Sequence, residues 1–381
     1  MTNNNKNTKV IVGMSGGVDS SVSVALLQDQ GYTVQGMFMK NWEEDDTSEI
    51  CSADDDVKDA QSVADKLHVK LHLRNFASEY WDFVFEDFLN EYRIGRTPNP
   101  DILCNREIKF KTFLQNAQDL GADFMATGHY VDKDFHAGKF RLLKGKDNNK
   151  DQSYFLYTIT QKQLAYTLFP LGKIAKPKVR IMAQDLDLIV HNKKDSVGIC
   201  FIGEKDFQKF LASYLKPNPG NIVNDNGLVI GKHTGLMYYT IGQRQGLGIG
   251  GVKDAPQLPW FVVAKNHHNN ELIAVQAGDN PLLLSDELIA DNLNWILGQQ
   301  PQLPLQCKAK TRYRQSDQEC IIYSDSKGQV KVKFSQQQRA VTPGQSVVFY
   351  IDDVCLGGGI IQNTNTLNEK CEFKIQQHKN I

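Results

Sequence analysis

Two groups of residues in this sequence are placed to do chemistry: a glycine-rich loop and a pair of cysteines. Gly13-Met14-Ser15-Gly16-Gly17-Val18-Asp19-Ser20-Ser21 lies between an apolar run, Lys9 to Met14, and a segment, Ser20 to Gln30, with apolar residues at Val22, Val24, Ala25, Leu26 and Leu27. A strand that turns through glycines into a helix gathers backbone N–H groups around one point, so the direct reading is an anion site that takes phosphate. The loop is not a Walker A motif, because Val18 and Asp19 stand where G-x-x-x-x-G-K-[ST] needs glycine and lysine, and it fails G-x-G-x-x-G as well. Such turns are also built for purely structural reasons, but the complete string S-G-G-x-D-S is more than a turn requires.

Cys104 follows the rigid Pro98-Asn99-Pro100 turn and is expected to open a helix whose apolar positions include Ile108, Phe113, Leu114, Ala117 and Leu120. A thiol at a helix N-terminus with Arg106 and Lys109 nearby favours the nucleophilic thiolate; the alternative is a buried apolar cysteine. Asp101, three residues earlier, has the chemistry to orient a base or handle a proton, and equally reads as a turn or N-cap carboxylate. Cys200 sits in the apolar run Val197 to Ile202 after Gly198, so on local grounds it reads as a core-strand cysteine.

The elements that must carry these residues alternate. Thr33 to Met39 and Lys70 to Leu73 read as strands, Val57 to Leu67 as a helix, Tyr80 to Tyr92 as an aromatic-rich helix, Arg106 to Leu120 as another, and Asp123 to Thr127 as a strand stopping at Gly128. Strands alternating with helices predict an α/β fold on a parallel sheet, with ligands at the carboxyl ends of the strands. After about Phe201 the rhythm changes to closely spaced prolines and glycines. From Leu305 the runs Gln306–Arg314, Glu319–Ser324, Gln329–Phe334, Ser346–Ile351 and Gly357–Ile361 alternate like a small β-barrel, with turns at Lys327-Gly328 and Pro343-Gly344. The expected organisation is a Rossmann-like α/β domain over 1–205, a small β-rich domain over 206–280, a C-terminal β-barrel over 281–363 and a polar tail over 364–381.

The 381 residues hold 43 Lys+Arg against 44 Asp+Glu, so any nucleic-acid surface must be local. Residues 41–60 are acidic, whereas Gln306 to Tyr350 carries eight bases against three acids. Within it, Lys308-x-Lys310-x-Arg312-x-Arg314 is expected to put four bases on one strand face, able to track a phosphate backbone. No apolar stretch reaches membrane-spanning length, and Met1 to Lys9 has no apolar signal core, so the expectation is a cytoplasmic protein without a membrane partner. Seven scattered cysteines without C-x-x-C argue against a disulfide scaffold, a zinc site or an iron–sulfur cluster. His129 reads as a packed histidine more readily than as a metal ligand.

The string Ser15-Gly16-Gly17-Val18-Asp19-Ser20 resembles the pyrophosphatase (PP) loop of N-type ATP pyrophosphatases, which cleave ATP between the α and β phosphates and adenylate an oxygen of the substrate. Within that superfamily, Asn99-Pro100-Asp101-Ile102-Leu103-Cys104-Asn105 and Gly198-Ile199-Cys200-Phe201-Ile202 resemble the tRNA-specific 2-thiouridylases. So do Ala126-Thr127-Gly128-His129-Tyr130, Lys150-Asp151-Gln152-Ser153-Tyr154 and Tyr239-Thr240-Ile241-Gly242-Gln243-Arg244-Gln245-Gly246. These matches run in order over most of the chain. The resemblance implies 2-thiolation of the wobble uridine of tRNA, with ATP as co-substrate accompanied by Mg²⁺, Asp19 being a candidate helper for the cation. It implies that Gly13, Met14, Ser15, Gly16, Gly17, Val18, Asp19, Ser20, Met39 and Gly128 bind ATP, and that Asn99, Pro100 and Asp101 meet the target base. His129, Lys150, Asp151, Gln152, Arg312, Tyr313 and Gln345 resemble tRNA-contacting positions. Cys200 would receive sulfur as a persulfide from a cysteine desulfurase or sulfur-relay protein. That persulfide would attack the adenylated base directly, or release hydrosulfide when Cys104 attacks it. The family implies tRNAs of the Lys, Glu and Gln type. Two other readings compete: an adenylating synthetase for a small molecule, and a non-catalytic RNA-binding protein that retains the loop.

Overall fold

The computed structural model describes residues 5–42, 52–195, 207–250 and 256–365. Five parallel strands form the first sheet in the order β3-β2-β1-β4-β7: β1 is Lys9–Gly13, β2 Thr33–Lys40, β3 Leu71–Asn75, β4 Phe124–Ala126 and β7 Thr167–Leu168. Side chains alternate across β1, as the two-residue period of a strand requires. Val10 and Val12 pack with α1 (Val18–Asp29) and α2 (Ser52–Lys66), whereas Ile11 packs with Phe85, Ile108 and Phe113 on the opposite face. Both faces are therefore covered, and the expected α/β parallel sheet is what forms.

Helix boundaries differ from the sequence reading in one consequential place. The helix expected from Arg106 starts at Pro100, with Asn99 as N-cap, and continues through an i→i+5 bonded stretch, Cys104–Phe113, to Asp119. Proline at the first helical position has its φ preset and no N–H to satisfy, which moves the start forward. Cys104 is thus one turn inside the helix and completely buried, not at its opening. The aromatic helix over 77–93 contains a similar widened stretch at Trp81–Phe85.

A second sheet, of order β10-β11-β8-β9, comprises β8 (Gly220–Val223), β9 (Val229–His233), β10 (Trp260–Asn266) and β11 (Glu271–Gln276). The barrel runs β12-β15-β14-β13-β16-β17 and closes through β12–β17 pairing; its strands are Leu284–Trp295, Leu305–Lys310, Gln318–Ser324, Val330–Arg339, Ser346–Ile351 and Val354–Thr364 for β12 to β17. β12 is absent from the expected runs because three register irregularities and a left-handed Asn292 break its alternation. A hairpin of β5 (Val131–His136) and β6 (Lys139–Lys144) leaves the first domain and pairs with β17 at Leu142 and Leu143.

The seam between the first domain and the barrel is closed by buried tyrosines. Tyr154 Oη donates to Ser346 O at 2.9 Å, Tyr157 Oη meets Ser346 Oγ at 3.1 Å, and Tyr350 Oη meets Ser153 Oγ at 3.2 Å. Burial pushes all three phenols up from their ordinary value, Tyr154 and Tyr350 the furthest. Each ring supplies apolar area while its hydroxyl finds a partner, which is what makes a buried tyrosine favourable. Gly358 lets the backbones meet: a Cβ there would lie 2.4 Å from Val347 O and 2.9 Å from Tyr157 Cδ2. Gly358→Ala should therefore lower stability by about 1–3 kcal/mol through overpacking, read as a lower denaturant midpoint with an unchanged slope.

Candidate nucleotide and thiol site

The carboxyl ends of β1, β2 and β4 converge on the glycine-rich loop. A Cβ at Gly13 would lie 3.6 Å from Phe113 Cζ and 3.8 Å from both Met39 Cε and Ala126 O, so Gly13, Met39 and the start of the Gly128 turn share one space. Gly16 is left-handed, with φ +71°, and a Cβ there would fall 2.4 Å from Asp56 O. Gly17 caps α1 in extended conformation without a side-chain hydrogen bond to the first turn. Ser15 N donates to Ser20 Oγ at 3.2 Å, and Ser20 and Ser21 hydroxyls donate back to Gly17 O. The loop is thus tightened by its own serines, while among the described residues no side chain caps the helix start, which suits it to an anion. At Gly128 an added Cβ would lie 3.0 Å from the peptide joining Asp19 to Ser20. The cradle therefore needs glycine on both walls, which fits a polyphosphate lying against bare backbone.

Asp19, in the first turn of α1, is tied down by two groups from other parts of the fold. Tyr130 Oη donates to its Oδ1 at 2.6 Å, and Lys176 Nζ is 2.7 Å from each carboxylate oxygen. Lys176 opens the helix Lys176–Asp185 and is buried; its ammonium also lies 2.8 Å from Asp195 Oδ1. Asp195 further accepts from Lys150 Nζ at 2.5 Å and Arg180 Nη2 at 2.7 Å. Burial alone would raise the Asp195 carboxyl, but hydrogen bonds from Lys150 and Lys176 outweigh it and hold it at about 2. Its stabilising contribution is therefore fully present above the ordinary 3.8 and is lost as pH falls toward 2. Sequence reasoning missed Lys176 and Asp195: Lys176 is 157 positions from Asp19, and nothing local marks it.

The segment leading to Cys104 is gripped from both other domains. Lys265 Nζ in β10 donates to Gly95 O at 2.9 Å, and Thr240 Oγ1 meets Thr97 Oγ1 at 3.3 Å. From the barrel, Thr97 N donates to Pro343 O at 3.1 Å, Gln345 Nε2 donates to Thr97 O at 2.7 Å, and Arg96 bonds the Gln362 amide. Asn99 and Asp101 are half-buried beyond this grip, with Pro100 and Cys104 buried behind them. Cys200 lies outside the described residues, as does Cys51.

Of the positions expected to meet RNA, Arg312 is exposed, and Lys150, Gln152, Tyr313 and Gln345 are half-buried along the seam. Asp151 is buried; its carboxylate accepts from Gly145 N, Ser153 N and Ser153 Oγ and lies 3.6 Å from Lys310 Nζ. His129 is also buried, with Nδ1 2.9 Å from Thr127 Oγ1 and its ring 5.8 Å from that of Phe110; burial lowers its pKa well below the ordinary value, so it stays neutral. The four-base stripe does not form. Strand β13 stops at Lys310, which turns inward to Asp151 and Asp317, while Arg312 and Tyr313 occupy the following turn. A buried lysine with two carboxylates has nothing left to offer a phosphate, so the exposed bases there are Arg312 and Arg314.

Residues 8–204 match the model of a tRNA methyl transferase HUP domain, 208–276 that of a tRNA methyl transferase PRC-barrel domain and 285–361 that of an aminomethyltransferase beta-barrel domain. A tRNA-specific 2-thiouridylase MnmA of Marinomonas sp. is 60% identical over 357 residues, covering 94% of this chain and 92% of that protein. One of Francisella tularensis subsp. mediasiatica is also 60% identical, covering 93% and 99%. Among solved structures, an NMN synthetase from Francisella tularensis aligns at 17% identity and TM-score 0.33 over 52% of this chain and 71% of that one, too partial a likeness to bear on the site.

The Gly128 contact yields a direct test. Gly128→Ala should push the start of α1 by a few tenths of an ångström and weaken ATP binding about tenfold, with an unchanged circular dichroism spectrum; calorimetric titration of ATP measures it.

Proposed function

The chain belongs to the tRNA-specific 2-thiouridylase family, and on that footing we propose that it is an ATP-dependent enzyme that replaces the C2 oxygen of the tRNA wobble uridine with sulfur. The observation that supports this reading most is that the glycine cradle, where Gly13 meets Met39 and Gly128 meets the start of α1, also meets Phe113, a residue of the helix that Pro100 opens and that carries Cys104.

The uracil C2 oxygen attacks the α phosphorus of ATP and pyrophosphate leaves, which converts a poor leaving group into AMP. Gly13 to Ser20 hold the phosphates through backbone N–H groups, and Met39 and Gly128 line the nucleotide beside them. Mg²⁺ bound to ATP supplies charge neutralisation, with Asp19 as the carboxylate nearest the loop. Asn99, Pro100 and Asp101 place the base, Asp101 serving to orient it or move a proton. The terminal sulfur of a Cys200 persulfide then becomes the C2 sulfur as AMP departs. Cys104 thiolate takes Cys200 Sγ, so the pair is left as a disulfide that a reductant must reopen. Lys150, Asp151, Gln152, His129, Arg312, Tyr313 and Gln345 form the tRNA-facing seam, Asp151 and Gln345 acting there by holding backbone in place and His129 by packing behind it against Thr127 and Phe110. The substrates are tRNAs of the Lys, Glu and Gln type, and sulfur arrives from a cysteine desulfurase or relay protein. The work divides among domains over 1–205, 206–280 and 281–363, in the cytoplasm.

Nucleoside mass spectrometry of unmodified tRNA, incubated with the protein, ATP, Mg²⁺ and a persulfide donor, should show 2-thiouridine only when ATP is present. Pyrophosphate release without RNA thiolation would point to another adenylated substrate. Cys104→Ser and Cys200→Ser should each abolish thiolation while ATP and tRNA still bind; full thiolation by either variant would sink that cysteine's role. Arg312→Ala should weaken tRNA binding and reduce its salt slope by about one, with ATP affinity unchanged.

A further inference from the structure

The function proposed above assigns Lys150 to the RNA and the loop around Asp19 to ATP, and leaves the charges between them without a role. They form a continuous chain of alternating sign: Lys150 to Asp195 at 2.5 Å, Asp195 to Lys176 at 2.8 Å, and Lys176 to both oxygens of Asp19 at 2.7 Å. Within it Lys176 is nearly closed to solvent, its side chain being 8% exposed, whereas Lys150 at one end is 38% exposed, Asp19 at the other 32% and Asp195 33%. Both ends are thus open to ligands, and the Lys176 ammonium between them is shielded from screening by salt. A second strand of contact runs parallel to it. Gln152 Oε1 accepts from Tyr130 N at 2.9 Å, Gln152 N donates to Tyr130 O at 3.1 Å, and Tyr130 Oη donates to Asp19.

We propose that this charge chain couples the two polyanionic ligands, so that tRNA docked at Lys150 tightens the binding of magnesium-bound ATP at the glycine-rich loop. The inference rests on the tRNA-thiolation reading. Its sign follows from electrostatics. An RNA phosphate competes with Asp195 for the Lys150 ammonium, and Asp195 then draws more strongly on Lys176 and Arg180. As Lys176 shifts toward Asp195, Asp19 loses its bidentate partner. A carboxylate so released at the phosphate cradle attracts the divalent cation that accompanies ATP. Asp195 touches neither ligand; it is a positioning residue that acts through Lys176. By linkage, ATP must tighten tRNA binding by the same factor.

The test uses the full chain and α,β-methylene-ATP with Mg²⁺, which binds but cannot be cleaved between the α and β phosphorus atoms. Its affinity is measured by calorimetry with and without saturating unmodified tRNA, and tRNA affinity is measured with and without the analogue. The wild-type protein should show a tightening of roughly 5-fold or more in both directions, the lower end of ordinary allosteric couplings. Asp195→Asn and Lys150→Met should bring the ratio close to one, Asp195→Glu should restore it, and Lys178→Met, an exposed base on the same helix but outside the chain, should leave it unchanged. A merely structural role for Asp195 would alter stability or single-ligand affinities without removing the ratio. Binding of both ligands with a wild-type ratio of one, or an intact ratio in Asp195→Asn, overturns the coupling alone. Failure of the wild-type protein to bind tRNA in the tRNA-only arm overturns the coupling together with the reading beneath it.

Discussion

The backbone from Gly95 to Pro98 is the strut on which the arrangement depends. It emerges from the aromatic helix of the first domain and leads into Asn99, Pro100, Asp101 and Cys104. Its own residues hold little: Pro98 has no N–H, and the helix beyond starts only at Pro100. Its backbone groups are satisfied from elsewhere, Gly95 O by Lys265 and the Thr97 N–H and carbonyl by Pro343 and Gln345. Backbone groups withdrawn from water need partners, and all three domains supply them: Gly95 N and Arg96 N donate to Tyr92 O and Glu91 O within the first, and the other two grip the rest. The two β domains thus fix the stretch of loop that leads into Asn99, Pro100, Asp101 and Cys104.

The same logic sets the role of the Tyr239-to-Gly246 motif and of Gln345. Thr240 reaches Thr97, and Gly242, left-handed with φ +83°, would place a Cβ 2.5 Å from Ala340 Cβ. These residues join the central domain to the barrel and both to the strut, so their chemistry is structural support delivered at the site. The seam tyrosines do the corresponding work on the other side, where Asp151 anchors the Lys150-to-Gln152 segment to Lys310 of the barrel. Lys176 is a buried charge in this scheme. Moving an ammonium out of water costs several kcal/mol, and here two carboxylates must offset it. Such an expense suits a residue whose pairing carries information between sites better than one that only adds stability.

Much of this was legible in sequence because local patterns report local structure. The S-G-G-x-D-S string lies at a strand-to-helix turn, the unbroken apolar run of β1 marks a strand covered on both faces, and Met39 and Gly128 fall at strand ends, where a parallel sheet puts its ligands. The Cys104 context marked the thiol, although the helix starts at Pro100 and so leaves Cys104 inside it. Two glycine positions, 16 and 128, show why the composition of the loop matters: each is pressed against backbone from another element.

Sequence by itself therefore determined the fold class and the glycine-rich strand-to-helix turn, since each is encoded within a short stretch by spacing and residue type. Only the tertiary structure decided which charges meet. The alternating bases from Lys308 to Arg314 looked like one outward face, yet β13 ends at Lys310 and that lysine points inward to an acid 159 positions earlier in the chain. Lys176 and Asp195 carried no local signal at all. Periodicity tells which face of an element is buried, but the partner of a buried charge is set by how distant elements pack, and no short-range pattern records that.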